Sequence, residues 1–296
     1  MNIISASRRT DIPKFYTKWF LERVREGKVA YRNPFSGHLY EISLHPEDVR
    51  AIVFWSKDFR PLERYLEELD RRGLRYYFQF TITGLPRIFE ERVPDPEIAV
   101  ATAKRLAART SPGQVQWRFD PIVLSDRTQA EATVARFARL AHAMEGVTGR
   151  CYISFMARYA KVTRNLASVE GEHRVRFREA DLGEKRALAA RLAAIAARHG
   201  IAVVSCCNDA LIHEGPGFRV GKGRCVDGEL IDALFPERAA TSRPGPTREQ
   251  CGCVASRDIG AYDTCPHGCF YCYANASKER ARDRCRSHDP HAMILG

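Results

Sequence analysis

The chain has 296 residues, of which 45% are hydrophobic and 28% are charged, a composition typical of a globular protein with a sizeable core. No apolar run approaches the roughly 18 residues that a membrane-spanning helix needs, and the opening MNIISASRRTDIP carries arginines where a signal peptide would be apolar. We therefore expect a cytoplasmic protein without a membrane partner. The net charge of +11 suits an anionic substrate or a nucleic acid, although the arginines are spread along the predicted helices as on an ordinary solvated surface.

Patterns typical of strands and helices alternate along the first 207 residues. The predicted strands are 2–7, 51–56, 76–83, 115–124, 151–157 and 201–207. The predicted helices are 14–27, 61–73, 95–110, 128–145 and 183–200. Strands that alternate with helices argue for a parallel sheet covered by helices, and right-handed crossovers allow an open sheet or a barrel.

The fold class follows from this alternation of strands and helices and from the absence of one nucleotide-binding motif. No GxGxxG follows the first predicted strand, which counts against a dinucleotide-binding fold. We expect an α/β protein whose residues 1–207 form a partial or full (β/α) barrel of the TIM type, interrupted by a small hairpin within 29–48. Residues 208–296 are rich in Gly, Pro and Cys and lack strong periodicity. We expect them to form a loop-rich segment over the barrel mouth, as one functional unit with the barrel.

Charged side chains follow several of the predicted strands. In a (β/α) barrel the downstream strand ends meet on the face that carries the active site. The catalytic candidates on this argument are Arg8, Arg9, Asp11, Lys57, Arg118 and Asp120. Arg8 and Arg9 are suited to clamping a carboxylate or phosphate, and Asp11 would orient them or cap the following helix.

The other strand-end residues have two interpretations each. Arg118 and Asp120 would bind a ligand or form a satisfied ion pair. Gln79 and Thr81 lie two residues apart and share one face of their strand, where they would contact a ligand or form a polar layer of the core. Asn208 follows the sixth predicted strand and is a further candidate.

Nine of the ten cysteines lie between residues 206 and 285, and only Cys151 lies outside this region. Disulfides are rare in a reducing compartment, so this crowding indicates metal or cluster ligation. The stretch CPHGCFYC places Cys265, Cys269 and Cys272 at C-x3-C-x2-C spacing. Three thiolates can bind three irons of a [4Fe–4S] cube and leave the fourth iron open. A structural zinc would need a fourth ligand, which His267 or Cys285 would have to supply.

The remaining cysteines suggest a second site. Cys225, Cys251 and Cys253, with either Cys206 or Cys207, would complete four thiolates for a second Fe–S cluster or a zinc ion. Unligated buried cysteines, which pack as small apolar residues, are the alternative. Cys151 and Cys285 are interpreted as structural.

The C-x3-C-x2-C spacing, with Tyr271 directly before the last cysteine, resembles the radical S-adenosylmethionine (SAM) superfamily. The resemblance implies a partial barrel of six units and a cluster whose open iron holds the amino and carboxylate groups of SAM. It also implies reductive cleavage of SAM to a 5′-deoxyadenosyl radical, with a reductase or a flavodoxin-type protein as electron donor. We assign candidate cofactor-binding roles to Tyr271, Gln79, Thr81 and Asn208. In most of that superfamily the cysteines follow the first strand, so here the tail must fold back over the barrel mouth.

The whole chain also resembles an uncharacterised bacterial family that is known as a domain of unknown function. The motifs that carry this resemblance are SASRRTDIP at 5–13, RNPF at 32–35, IVFWSK at 52–57 and the segment from CGC to CYAN at 251–275. It implies that the terminal cysteines belong with the barrel, and it supplies no reaction.

The sequence therefore leads to three hypotheses about the function of the protein. The leading one is a radical SAM-like enzyme with a substrate of unknown identity, for which the basic charge suggests an anion. The second is an Fe–S protein that transfers electrons or senses redox state. The third is a nucleic-acid-binding protein whose tail is ordered by zinc.

Overall fold

The computed structural model describes all 296 residues and contains one large sheet and one small one. The strands are β1 (Asn2–Ala6), β2 (Lys28–Arg32), β3 (Leu39–Ser43), β4 (Val49–Ser56), β5 (Tyr76–Thr81), β6 (Val115–Ile122), β7 (Arg150–Phe155), β8 (Ala202–Ser205), β9 (His213–Gly215), β10 (Phe218–Lys222) and β11 (Arg257–Asp258). The helices are α1 (Ile12–Phe15), α2 (Thr17–Arg25), α3 (Arg60–Glu63), α4 (Leu66–Arg71), α5 (Pro96–Arg109), α6 (Ala130–Ala143), α7 (Ala160–His173), α8 (Leu182–Ala197), α9 (Gly228–Leu234) and α10 (Lys278–Ser287). None of the helices is long and apolar enough to cross a membrane.

The large sheet has nine strands in the order β11-β1-β4-β5-β6-β7-β8-β10-β9. All neighbours are parallel except β9 and β10. The six strands predicted from the sequence lie next to one another in chain order, so each connection moves one strand along the sheet in the same direction. The sheet is open, because β11 and β9 each pair with a single neighbour. The fold is therefore a mixed α/β fold built on a mostly parallel sheet.

Different parts of the chain pack against the two faces of the sheet. The largest hydrophobic cluster joins alternate strand residues such as Phe54, Phe78 and Trp117 to the apolar sides of the helices that connect the strands. A second cluster joins the opposite face, through Tyr77 and Tyr152, to the segment after β10 and to helix α9. Strand residues buried on both faces explain why these strands appear in the sequence as nearly continuous apolar runs.

The structure refines several predicted elements. The predicted hairpin is present as the antiparallel pair β2–β3. The predicted helix 14–27 is two helices, because the chain leaves the helical conformation at Tyr16, and Gly27 follows its end at φ +72°. The predicted helix 61–73 is likewise divided, at Tyr65. Helix α7 has no predicted counterpart, although Val162, Leu166 and Val169 are buried at helical spacing.

The C-terminal third is more ordered than its composition indicates. Strand β10 extends the sheet beside β8, and β11 extends it beside β1 at the other edge. Helix α10 forms from the highly charged KERARDRCRS and buries only Ala281, and its N-cap residue Ser277 accepts a hydrogen bond from Arg280 N through its side chain. Residues 208–296 therefore contribute strands to both ends of the sheet that residues 1–207 form.

A buried carboxylate joins two of the short helices. Asp58 accepts hydrogen bonds from Lys14 Nζ at 2.6 Å and from Arg60 Nη2 at 2.8 Å. Burial raises the pKa of Asp58, but the bonds from Arg60 and Lys14 outweigh burial and lower it from 3.8 to about 2. The ion pair therefore stabilises the folded state by about 2 kcal/mol at neutral pH.

We expect Asp58→Asn to lower the free energy of unfolding by about 2 kcal/mol at pH 7. Because the folded pKa lies below the unfolded one, this stabilisation is complete above the unfolded value and is lost as the pH falls toward 2. Urea unfolding at a series of pH values measures the difference between the two proteins. A difference that stayed constant down to the lowest pH would contradict this assignment.

Candidate metal centres

The C-terminal segment returns to the first strand through β11. Ser5 pairs with Asp258 in the parallel register, and the Asp258 carboxylate accepts hydrogen bonds from the Ser5 hydroxyl at 2.9 Å, from Arg8 N at 2.8 Å and from Arg9 Nε at 3.1 Å. Gly260 follows so closely that a Cβ atom there would collide with the Ser7 side chain, which explains the glycine in DIG. The loop SRR therefore serves to hold the tail that carries the cysteines.

The loop with Cys265, Cys269 and Cys272 lies at the downstream edge of the sheet. Cys269 pairs with Glu90, which follows β5, in an isolated antiparallel bridge. Phe270 N donates to Phe89 O at 3.3 Å, and Arg92 N donates to His267 O at 3.0 Å. The His267 Nε2–Asp11 Oδ2 contact at 2.7 Å and the hydrogen bond from Lys57 N to Asp11 Oδ2 at 2.9 Å link this loop to the residues after β1 and β4 as well, where the sequence predicted a functional face.

Amide groups and cations surround the three thiols. The backbone amide of His267 lies near the Cys265 thiol, and those of Ala274 and Asn275 lie near the Cys272 thiol, where they act to lower the pKa of these thiols. Burial raises the pKa of the Cys269 thiol to about 12, and the charge of Lys57 opposes this rise. Amide groups that donate to sulfur and a nearby cation suit thiolates that bind an anionic iron–sulfur cluster.

His267 is not available as a fourth ligand. Its Nε2 lies 2.7 Å from Asp11 Oδ2, and its Nδ1 lies 3.3 Å from Arg92 O, so each ring nitrogen faces an oxygen of the protein and does not join the three sulfurs in one ligand group. Cys285 lies on α10 and has Tyr16 as its polar neighbour. The loop therefore offers three thiols without a fourth protein ligand.

A second set of thiols lies on the opposite side of the sheet from the connecting helices. Cys206 Sγ lies 3.0 Å from Cys225 Sγ and 3.9 Å from Cys207 Sγ. Cys251 lies near both Cys207 and Cys253, and Cys253 in turn lies near Cys225. The five cysteines thus form a closed ring of neighbouring sulfurs, which we call the cysteine ring. All ten cysteines of the chain are free thiols.

Arginine side chains surround the cysteine ring. Arg118 Nη1 lies 3.0 Å from Cys225 Sγ, and Arg248 Nη2 lies 3.9 Å from Cys206 Sγ. Two guanidinium groups lie over the Trp55 ring, that of Arg8 at 5.0 Å and that of Arg118 at 5.2 Å from its centre. Arg8 Nη2 and Trp55 Nε1 are both buried and have no hydrogen-bond partner.

Among the catalytic candidates, several are already paired within the protein. Arg9 binds Asp258 through its side chain. Asp11 caps α1 through Lys14 N at 2.9 Å, so the capping interpretation is confirmed, and it contacts neither arginine. Arg118 forms an ion pair with Asp120, as the second interpretation of that pair expected. These residues support the site, and the idea that Asp11 orients the arginines is wrong.

Lys57 is also paired, and its partner is Glu90. Lys57 Nζ lies 2.8 Å from Glu90 Oε1, which also accepts from the Thr83 hydroxyl at 2.7 Å and from the Tyr271 hydroxyl. Burial raises the pKa of Glu90, but the charge of Lys57 and the hydrogen bonds from Lys57, Tyr271 and Thr83 together outweigh burial and hold the pKa below the ordinary value. Lys57, a catalytic candidate from the sequence, therefore neutralises a buried carboxylate of the protein.

The cofactor-binding candidates lie in both cysteine regions. Gln79 is fully buried, and its Nε2 donates to Cys225 O at 2.8 Å, so it fixes the backbone of the cysteine ring. Tyr271 binds Glu90 beside Cys269. Thr81 lines a cavity of about 30 Å³, which has room for about one water molecule. The backbone carbonyl of Asn208 accepts from the Ser205 hydroxyl next to Cys207.

Sequence reasoning missed four residues that organise these sites. Asp258, Glu90, Trp55 and Arg248 contact the cysteine segments or the loop SRR, as described above. The signal for Asp258 was its place in DIG within the segment shared with the family that the chain resembles. Glu90 and Arg248 lie in irregular segments where no periodic pattern indicates which way a side chain points.

The fold and the two thiol sets describe a cysteine-rich α/β protein with candidate metal centres at the edge of a mostly parallel sheet. The chain belongs to the family described as Domain of unknown function (DUF1848), whose profile matches residues 3–274. That range includes every cysteine except Cys285, and it ends just after the C-x3-C-x2-C segment. No curated protein matches the sequence.

Proposed function

We propose that the protein is an iron–sulfur enzyme of the radical SAM type, with its catalytic [4Fe–4S] cluster on Cys265, Cys269 and Cys272. The observation that carries the proposal is the set of three thiols beside a histidine, His267, whose two ring nitrogens face Asp11 Oδ2 and Arg92 O and not the sulfurs. Three protein ligands on a four-iron cube leave one iron for an exogenous ligand.

The fold supports this proposal. Six parallel strands follow one another in chain order and carry their connecting helices on one face, as the strands of a partial (β/α) barrel would. The thiol loop lies at the downstream ends of the first three of these strands, where active sites of such folds occur. The proposed partial barrel thus receives its cluster from the chain's C-terminal segment.

The cluster, when bound, would supply one electron to SAM, break the sulfur–C5′ bond, and so yield methionine and a 5′-deoxyadenosyl radical that takes a hydrogen atom from the substrate. A flavodoxin-type or reductase partner would return the electron. The chain's own residues would fix and shield this chemistry. Asp11 holds His267, Glu90 holds Tyr271, and Lys57 offsets negative charge beside Cys269.

The test is the formation of 5′-deoxyadenosine by anaerobically reconstituted protein supplied with SAM and dithionite. We expect nucleoside to form only when reductant is present, and to be absent with Cys269→Ala. Iron-loaded protein that neither binds nor cleaves SAM would overturn the proposal.

An iron–sulfur protein for electron transfer or redox sensing is the second candidate. It is favoured by the pairing of Arg9, Lys57 and Arg118 with carboxylates of the protein, because these cations are then not available to an anionic substrate. A cluster that undergoes reversible reduction without any response to SAM would support this function.

A zinc-ordered nucleic-acid-binding protein has less support. A tetrahedral zinc site places its sulfurs about 3.8 Å from one another. The group of ligand atoms that does meet a 4.8 Å mutual spacing is His142, Glu145 and His199 on the surface, and it contains no cysteine. The sulfurs of Cys265, Cys269 and Cys272 do not form such a group, and this wider spacing suits a cluster better than a single ion.

A further inference from the structure

The cysteine ring brings together three separate parts of the chain. Cys206 and Cys207 directly follow β8, Cys225 follows β10, and Cys251 and Cys253 precede β11. Cys206, Cys225 and Cys253 are buried, and the other two are half-buried at the border of the same hydrophobic cluster. Five sulfurs from three segments lie at one place. Cysteines that served only as small apolar core residues would not need to lie together in this way.

The backbone around the ring is held by dedicated hydrogen bonds. Cys225 O accepts from Tyr77 Oη at 2.9 Å and from Gln79 Nε2 at 2.8 Å, and Val226 N donates to Cys253 Sγ at 3.3 Å. Val254 N donates to Val226 O at 3.0 Å, which joins the second and third segments. The segments are thus fixed to one another and to β5, so the sulfurs are positioned before any ligand binds.

Unpartnered donors at the ring point to a missing acceptor. Arg8 Nη2 and Trp55 Nε1 are buried without hydrogen-bond partners. Leaving a buried donor unsatisfied costs about 1–3 kcal/mol, and more for a charged group. Trp55 packs against the same cluster as the five cysteines, and Arg8 lies within electrostatic range of Cys225 and Cys253. An anionic group with several acceptor atoms in this place would satisfy both donors.

We propose that the cysteine ring binds a second iron–sulfur cluster. Its ligands are Cys225, Cys251, Cys253 and one of the adjacent pair Cys206 and Cys207, and its sulfides accept hydrogen bonds from Arg8 and Trp55. A zinc ion with four thiolates offers no acceptors beyond the ligands themselves, whereas the bridging sulfides of a cluster do. The arginines around the ring offset the negative charge that four thiolates and the cluster would carry.

The test uses a background in which the first site is removed, Cys265→Ala/Cys269→Ala/Cys272→Ala. After anaerobic reconstitution, we expect this triple variant to keep iron and acid-labile sulfide in equal amounts. Adding Cys251→Ser, at a half-buried position that tolerates the change best, should remove them. Adding Cys151→Ala instead should not, because Cys151 lies on the helix-facing side of the sheet, in the main core.

The proposal is overturned if the triple variant contains no iron, or contains about one zinc per chain in place of iron. This test is independent of whether the proposed function is correct. The triple variant lacks the catalytic cluster by design, and the reaction with SAM is measured on the wild-type protein.

A second variant keeps the proposal testable if Cys251→Ser prevents folding. In the triple background we expect Arg8→Gln to retain the iron and to lower the midpoint potential of the cluster, because a cationic donor that stabilises the reduced, more negative state is lost. Arg8→Lys, which keeps the charge, should shift the potential less. An unchanged potential in Arg8→Gln would contradict the assignment of Arg8 to the cluster.

Discussion

Replacement of Cys269 with alanine is expected to remove about four irons per chain and to abolish any cleavage of SAM. Cys269 is the middle thiol of the loop, and its backbone bridge to Glu90 does not require the side chain. The variant should therefore fold and keep the iron of the cysteine ring. Iron and acid-labile sulfide analysis of anaerobically purified protein, with visible spectra, measures the loss.

Cys285→Ala is the matched control for this variant. Cys285 is half-buried like Cys269 and lies in the same C-terminal region, but on α10 beside Tyr16. We expect Cys285→Ala to keep the full iron content. Equal iron in Cys269→Ala and the wild type would show that the loop CPHGCFYC holds no cluster.

Replacement of Asp258 with alanine is expected to have the largest effect on stability. Its carboxylate accepts hydrogen bonds from the side chains of Ser5 and Arg9 and from the backbone of Arg8. Removing it leaves the guanidinium of Arg9, a buried residue, without its charge partner, which costs about 3–5 kcal/mol. We expect the free energy of unfolding to fall by this amount in urea titrations.

The same variant should weaken both metal centres. Asp258 lies between Cys253 and Cys265 in the chain, so release of β11 frees the segments that carry both thiol sets. Iron content after reconstitution should therefore fall at both sites. Asp283→Ala, at an exposed position on α10, is the control and should change neither quantity. Normal stability of Asp258→Ala would contradict the role given to β11.

The sequence supports the prediction of the parallel strands, because each is a short apolar run followed by polar residues and then a helical pattern. It also supports the grouping of the cysteines, since C-x3-C-x2-C is a local spacing that does not depend on the fold. The cysteines that remain outside this spacing suggested a second set, and the contact of Cys206 with Cys225 agrees with that suggestion.

The partners of the polar residues could not be predicted, because they are far apart in the chain. Asp258 binds Arg9 across 249 positions, and His267 binds Asp11 across 256 positions. Strand β11 has only two residues, too few for any periodic signal. Arg9, Lys57 and Arg118 therefore appeared to be available for a ligand, when each already has a carboxylate partner in the folded protein.

The most direct measurement of the central claim is the electron paramagnetic resonance spectrum of the dithionite-reduced protein with and without SAM. The triple-thiol site with an open iron predicts a reduced-cluster signal that changes on addition of SAM and that is missing from Cys269→Ala. A reduced-cluster signal that SAM leaves unchanged, or protein that contains zinc and no iron, would contradict the account.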